Sequence, residues 1–76
     1  MAMSDGRFVE RLRRENREFR LLESLHRQLD EELTQLVRHH VLTPGEELKK
    51  KVLQKEKLVA KDRMARLLHD YRQASL

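Results

Sequence analysis

Apolar side chains recur at alternating spacings of three and four residues along much of this chain, and that spacing restricts it to helices. Between residues 8 and 40 the series has ten positions, seven of them apolar. Charged residues make up 39% of the sequence, a composition that disordered chains share. A disordered chain has no reason to keep one register for about nine turns, so the spacing predicts α-helix. The series is Phe8, Leu12, Glu15, Phe19, Leu22, His26, Leu29, Leu33, Leu36 and His40.

The single proline divides this pattern into two helices. In the segment LTPGEEL, Thr43 can cap a helix whose first residue is Pro44, and Glu46 can reach back to the capping residue. A turn this short permits only an antiparallel return. We therefore predict one domain over residues 1–76, with a first helix over about 5–41, a turn over 42–45 and a second helix over about 44–73.

The start of the first helix has two interpretations. Ser4 or Asp5 can cap it, with Met3 packing onto Phe8. Asn16 can instead cap a fresh start, which would divide the first helix into a short piece and a long one. We predict a continuous first helix, with a break near residue 16 as the alternative.

Two helices form an interface between them but no closed core. The chain has only 76 residues and no cysteine, so self-association is the remaining common way to stabilise it. We predict an all-α antiparallel hairpin, similar to a coiled coil, that completes a four-helix bundle as a homodimer. Isolated exposed aliphatics are the alternative explanation for the apolar residues off the main stripe. These residues are Leu21, Leu25, Leu48, Val52 and Val59.

A histidine and an aspartate interrupt the apolar pattern one turn apart. His26 could act as a general base oriented by Asp30, and the turn brings Lys57 opposite Asp30. No nucleophile or glycine-rich loop accompanies them, and further metal ligands at His39 and His40 lie more than a dozen residues away. We therefore predict no catalytic site, no metal site and no cofactor. His26, Asp30 and Lys57 form a structural polar cluster that fixes helix register, with an ion pair contributing under about 1 kcal/mol.

The net charge of +4 resides in the second helix. Residues 46–73 hold nine basic and five acidic side chains, whereas residues 10–38 hold seven of each. A basic helix invites a nucleic-acid hypothesis, with a candidate surface at Lys49, Lys50, Lys51 and Lys55. At 100° per residue the cations surround the helix, and no aromatic residue is interleaved for base stacking. Weak, non-specific nucleic-acid association is therefore the alternative function.

The main functional prediction is a non-enzymatic interaction or assembly module with an unknown protein partner.

No apolar run exceeds three residues, which excludes a membrane span of about 20. The opening MAMSDGRF lacks the apolar centre of a signal peptide, so we expect a soluble, cytoplasmic protein.

Two segments carry a resemblance to a known family. FRLLESLHRQLDEEL and LQKEKLVAKDRM resemble the two motifs of the YdcH-like family, small bacterial proteins of unknown function, over about residues 19–68. Gln54 and Ala60 depart from the family's lysine and leucine, and the turn TPGEE differs from its acidic linker. The resemblance implies a helical hairpin, often self-associating, with no established enzymatic activity or cofactor. The matching motif positions are His26, Leu29, Asp30, Lys57, Leu58, Lys61 and Asp62.

Overall fold

The computed structural model describes residues 6–38 and 41–74, and all regular structure within them is helical. Helix α1 comprises Gly6–Glu15, α2 comprises Arg17–Val37 and α3 comprises Pro44–Ala74. The predicted all-α class is therefore confirmed for this part of the chain. None of the described helices is long and apolar enough to cross a membrane. Predictions on Met3, Ser4, Asp5, His39 and His40 fall outside the described residues.

The first predicted helix is interrupted at Asn16, so the prediction of one continuous helix is wrong. The backbone of Asn16 is extended, and its side-chain Oδ1 accepts a hydrogen bond from the Phe19 amide at 3.0 Å. An asparagine in this position satisfies one of the amides left free at a helix start, which stabilises a new helix. Helix α2 also ends earlier than predicted, at Val37 instead of near residue 41.

The start of α3 follows the predicted capping box. The Thr43 amide donates to Glu46 Oε1 at 2.9 Å, and the Glu46 amide donates to Thr43 Oγ1 at 3.2 Å. Pro44 is the first helical residue, where its missing N–H costs least. These reciprocal bonds define the point from which α3 returns along the molecule.

Helix α3 lies along α2 and α1 in the opposite chain direction. Lys57 near its middle meets Asp30 of α2, and Tyr71 near its end meets Glu15 of α1. The described residues form an elongated body of 50 × 22 × 17 Å. At 1.5 Å per residue, α3 is about 46 Å long and so spans nearly all of it.

The core is one layer of side chains between the helices. Leu29, Leu33 and Leu53 form its central cluster, and Leu36 packs against them. None of the polar side chains in the described ranges is buried. The other buried residues are Leu12, Phe19, Leu22 and Ala60. A single layer leaves the flanking apolar residues of α2 and α3 uncovered.

Helix α1 is attached through a few contacts of its own. Arg13 donates two hydrogen bonds of 2.8 Å to the Glu23 carboxylate, which lowers the pKa of Glu23. The Phe8 ring packs edge-on against Tyr71, with centroids 6.2 Å apart. Leu12 is the buried residue of this helix, at 2% exposure. The short helix is thus held by one apolar anchor together with polar and aromatic contacts to α2 and α3.

Candidate functional site

The predicted polar cluster contains a cross-helix ion pair. Lys57 Nζ lies 2.5 Å from Asp30 Oδ1, joining α3 to α2. This hydrogen bond and the lysine charge lower the pKa of Asp30, with a smaller contribution from His26. Both side chains remain partly exposed, 33% for Lys57 and 57% for Asp30. The pair therefore lies at an edge of the helix interface, in contact with solvent.

His26 lies at the same edge, in a groove between α2 and α3 that we call the polar groove. It is half-buried, so it is not enclosed in the apolar layer. Four of the family-motif positions line this groove, although they come from segments 30 residues apart. Of the other motif residues, Leu29 lies in the core. Asp62 lies outside the lining of this groove, with its Oδ2 3.9 Å from Nη2 of Arg66. The lining residues are His26, Leu33, Gln54, Lys57, Leu58 and Lys61.

No three metal-binding side chains converge anywhere in residues 6–38 and 41–74. His69 is at the other end of α3, beside Phe8 and Arg72. The polar groove therefore offers cations and one imidazole without a set of carboxylates that could hold a metal ion.

The four lysines of the candidate basic surface do not share one groove. Lys49 lines a pocket together with two acidic residues, Glu32 and Glu46. Lys55 lies on the opposite edge from Lys57, beside Glu56. Lys51 is exposed and Lys50 is half-buried. This distribution gives no continuous path for a phosphate backbone.

The opposite edge of the α2–α3 interface carries an apolar groove. Its floor is the buried Ala60 and Leu22, and its walls are Leu25, Val52 and Val59, which are 41–50% exposed. The sequence pattern placed these three wall residues off the main stripe, but it did not reveal that they surround one depression. The sequence contained one signal of this depression. Ala60 stands where the family that the chain resembles has leucine, and its small side chain leaves space above it. The charged lining residues are Lys55, Glu56 and Arg63.

We expect Asp30→Asn to destabilise the fold at neutral pH and to have progressively less effect in acid. The lowered pKa of Asp30 means that its stabilisation is present above the unfolded pKa, near 4, and is lost as pH falls through the folded value. Urea unfolding of both proteins from neutral pH down to about pH 2 measures this difference.

Lys57→Gln is the control for that experiment, because it removes the other half of the pair. In a Lys57→Gln background, Asp30→Asn should lose most of its effect at neutral pH. An equal effect of Asp30→Asn with and without Lys57 would contradict the assignment.

Comparison with known proteins identifies one family. The family described as a protein of unknown function, DUF465, matches residues 19–68, about two thirds of the chain. This is the YdcH-like family, so the resemblance carried by the two motifs is confirmed. Neither the curated proteins nor the solved structures include a significant match. The matched range begins at Phe19, three residues after the break at Asn16, and contains both grooves.

Proposed function

The chain belongs to the DUF465 family, and from that premise we propose that it is a non-catalytic assembly module that works as a homodimer. In this proposal α2 and α3 act as an antiparallel, coiled-coil-like hairpin. Two hairpins then pack together as a four-helix bundle. The observation that supports the proposal is the apolar groove.

The groove leaves several apolar side chains of one surface in contact with solvent. Leu25, Val52 and Val59 are 41–50% exposed and adjacent, and Leu21 beside them is 59% exposed. Contiguous apolar surface on a small chain is typical of an interaction site. Covering it removes apolar area from water at about 25 cal/mol per Å², which a chain with a single core layer needs.

The proposed dimer leaves the polar groove available to other proteins. That groove lies on the other edge of the α2–α3 interface, with Lys57 and Lys61 at its rim and Leu58 66% exposed. A protein partner that binds the assembly would meet this charged helical surface. The scattered lysines give no corresponding support to nucleic-acid association.

The proposal is tested by the mass in solution of the wild-type protein and a groove variant. Light scattering across a concentration series should show the wild type moving from one chain to two. The double variant Val52→Glu, Val59→Glu should remain monomeric, because it places two carboxylates on the side of the groove that α3 forms.

Leu58→Glu is the control, since it introduces a carboxylate at an apolar residue of α3 that is more exposed than either valine, 66% against 48% and 50%, and lies outside the apolar groove. It should dimerise like the wild type. A wild-type protein that stays monomeric at every concentration would refute the proposal, as would equal loss of dimer in the control.

A further inference from the structure

Resting on the proposed dimer, we propose that two copies pair isologously through the apolar groove with their α3 helices antiparallel. The two-fold axis passes between Val59 and Ala60. Glu56 of each copy then pairs with Arg63 of the other. This inference specifies the orientation and register of the partner, which the proposed function leaves open.

The shape of the groove places the axis. Ala60 is 2% exposed and forms the floor, while its chain neighbour Val59 is 50% exposed and projects from the wall. An axis between adjacent residues sets Val59 of each copy over Ala60 of the other. The valine fills the space that the small alanine leaves, above Leu22 in the floor and beside Leu25 in the wall.

The same axis also covers Leu21, which is exposed in the single chain. Asp30 of α2 is paired with Lys57 of α3, and the two helices run in opposite directions. Leu21 lies nine residues before Asp30, and Arg66 lies nine residues after Lys57. Leu21 therefore lies level with Arg66. Val52 and Arg66 lie about seven residues on either side of the axis, so Val52 of one copy comes beside Leu21 of the other. Both side chains are about half exposed in the single chain.

Two of the three charged lining residues of the groove, Glu56 and Arg63, match this orientation. Glu56 is the only carboxylate among the groove's lining residues, and Arg63 lies two turns later on the same side of α3. They are equally far from the axis, so antiparallel helices bring each Glu56 to an Arg63, whereas parallel helices bring Glu56 to Glu56. Neither residue has an ion-pair partner within the described chain. Charges at an interface rim select orientation and partner more than they add affinity.

Charge reversal at these two positions tests the register by sedimentation at low salt. In a homodimer of the Glu56→Lys variant, both Glu56–Arg63 pairs become pairs of a lysine and an arginine. In a homodimer of the Arg63→Glu variant, both become pairs of carboxylates. We expect each variant alone to dimerise at least about tenfold more weakly than the wild type. An equimolar mixture should form a heterodimer of near wild-type affinity, because every pair is then attractive. The double variant Glu56→Lys, Arg63→Glu should also recover dimerisation.

Two exposed charges outside the groove provide matched controls. Glu31→Lys and Lys51→Glu make the same size of charge change and should leave dimerisation unaltered, alone or mixed. The register would be overturned, and the proposed function left standing, if the wild type dimerises but the two groove variants do not weaken alone, or weaken and do not recover when mixed. A wild-type monomer at all concentrations would overturn both.

Discussion

Leu29→Ala is expected to lower the free energy of unfolding by about 2–5 kcal/mol, the usual effect of emptying a buried leucine site. Leu29 is 4% exposed and belongs to the central cluster with Leu33 and Leu53. Small proteins have a total stability of about 5–15 kcal/mol, so this one change removes a large share of it. Urea unfolding followed by helical circular dichroism measures the loss. One protein concentration must be used throughout, because dimerisation would add to the apparent stability.

Leu58→Ala is the control for this prediction, because it deletes the same atoms from a side chain that is 66% exposed. Its effect should stay within about 0.5 kcal/mol. Equal losses from the two substitutions would mean that the layer around Leu29 does not hold α2 and α3 together.

Leu12→Ala is expected to undock α1 and leave α2 and α3 folded. Leu12 is the one buried side chain of this ten-residue helix, and losing its burial costs about 2–5 kcal/mol of docking free energy. A helix of ten residues is marginal by itself in water, so an undocked α1 should also unwind. Amide hydrogen exchange should show protection lost in residues 6–15 and kept around Leu29.

Arg11→Ala serves as the comparison, since Arg11 neighbours Leu12 in α1 and is exposed. Protection in α1 should survive that change. Exchange that rises equally in all three helices of the Leu12→Ala protein would contradict a separately opening α1. It would indicate that the described helices unfold as a single unit.

The parts of the fold that depend on local chemistry could be predicted from the sequence. The capping box at Thr43 involves residues three apart, and it sets where α3 begins. Once that turn is placed, the opposition of Asp30 and Lys57 follows from counting residues on antiparallel helices. The all-helical class follows from the spacing of apolar residues in the same way.

The break at Asn16 was harder to predict because two local signals conflict there. The apolar spacing continues through the position, whereas the asparagine side chain favours a new helix start. Contacts distant in sequence accompany the break, including Arg13 with Glu23 and Glu15 with Tyr71. Neither pair can be deduced from a helix register that assumes continuity.

The candidate site was partly predictable for a similar reason. Periodicity identified Val52 and Val59 as residues off the main stripe, because their angular positions depend only on residue number. The groove between them depends on the volume above Ala60, which is a property of how the two helices pack. The edge position of His26 also depends on that packing, since a rotation of the helix by less than about 100°, the angle between successive residues, separates an edge from an interior position.

The two edges of the α2–α3 interface differ in chemistry, and this difference determines the valence of the proposed dimer. If the apolar edge is covered by a second copy, two-fold symmetry gives the assembly two identical polar grooves, each with its own Lys57, Lys61 and exposed Leu58. Each dimer would then bind two copies of a partner that presents one matching segment. A partner that presents two would bind with an effective concentration set by the spacing of the grooves, and so more tightly than a single contact allows.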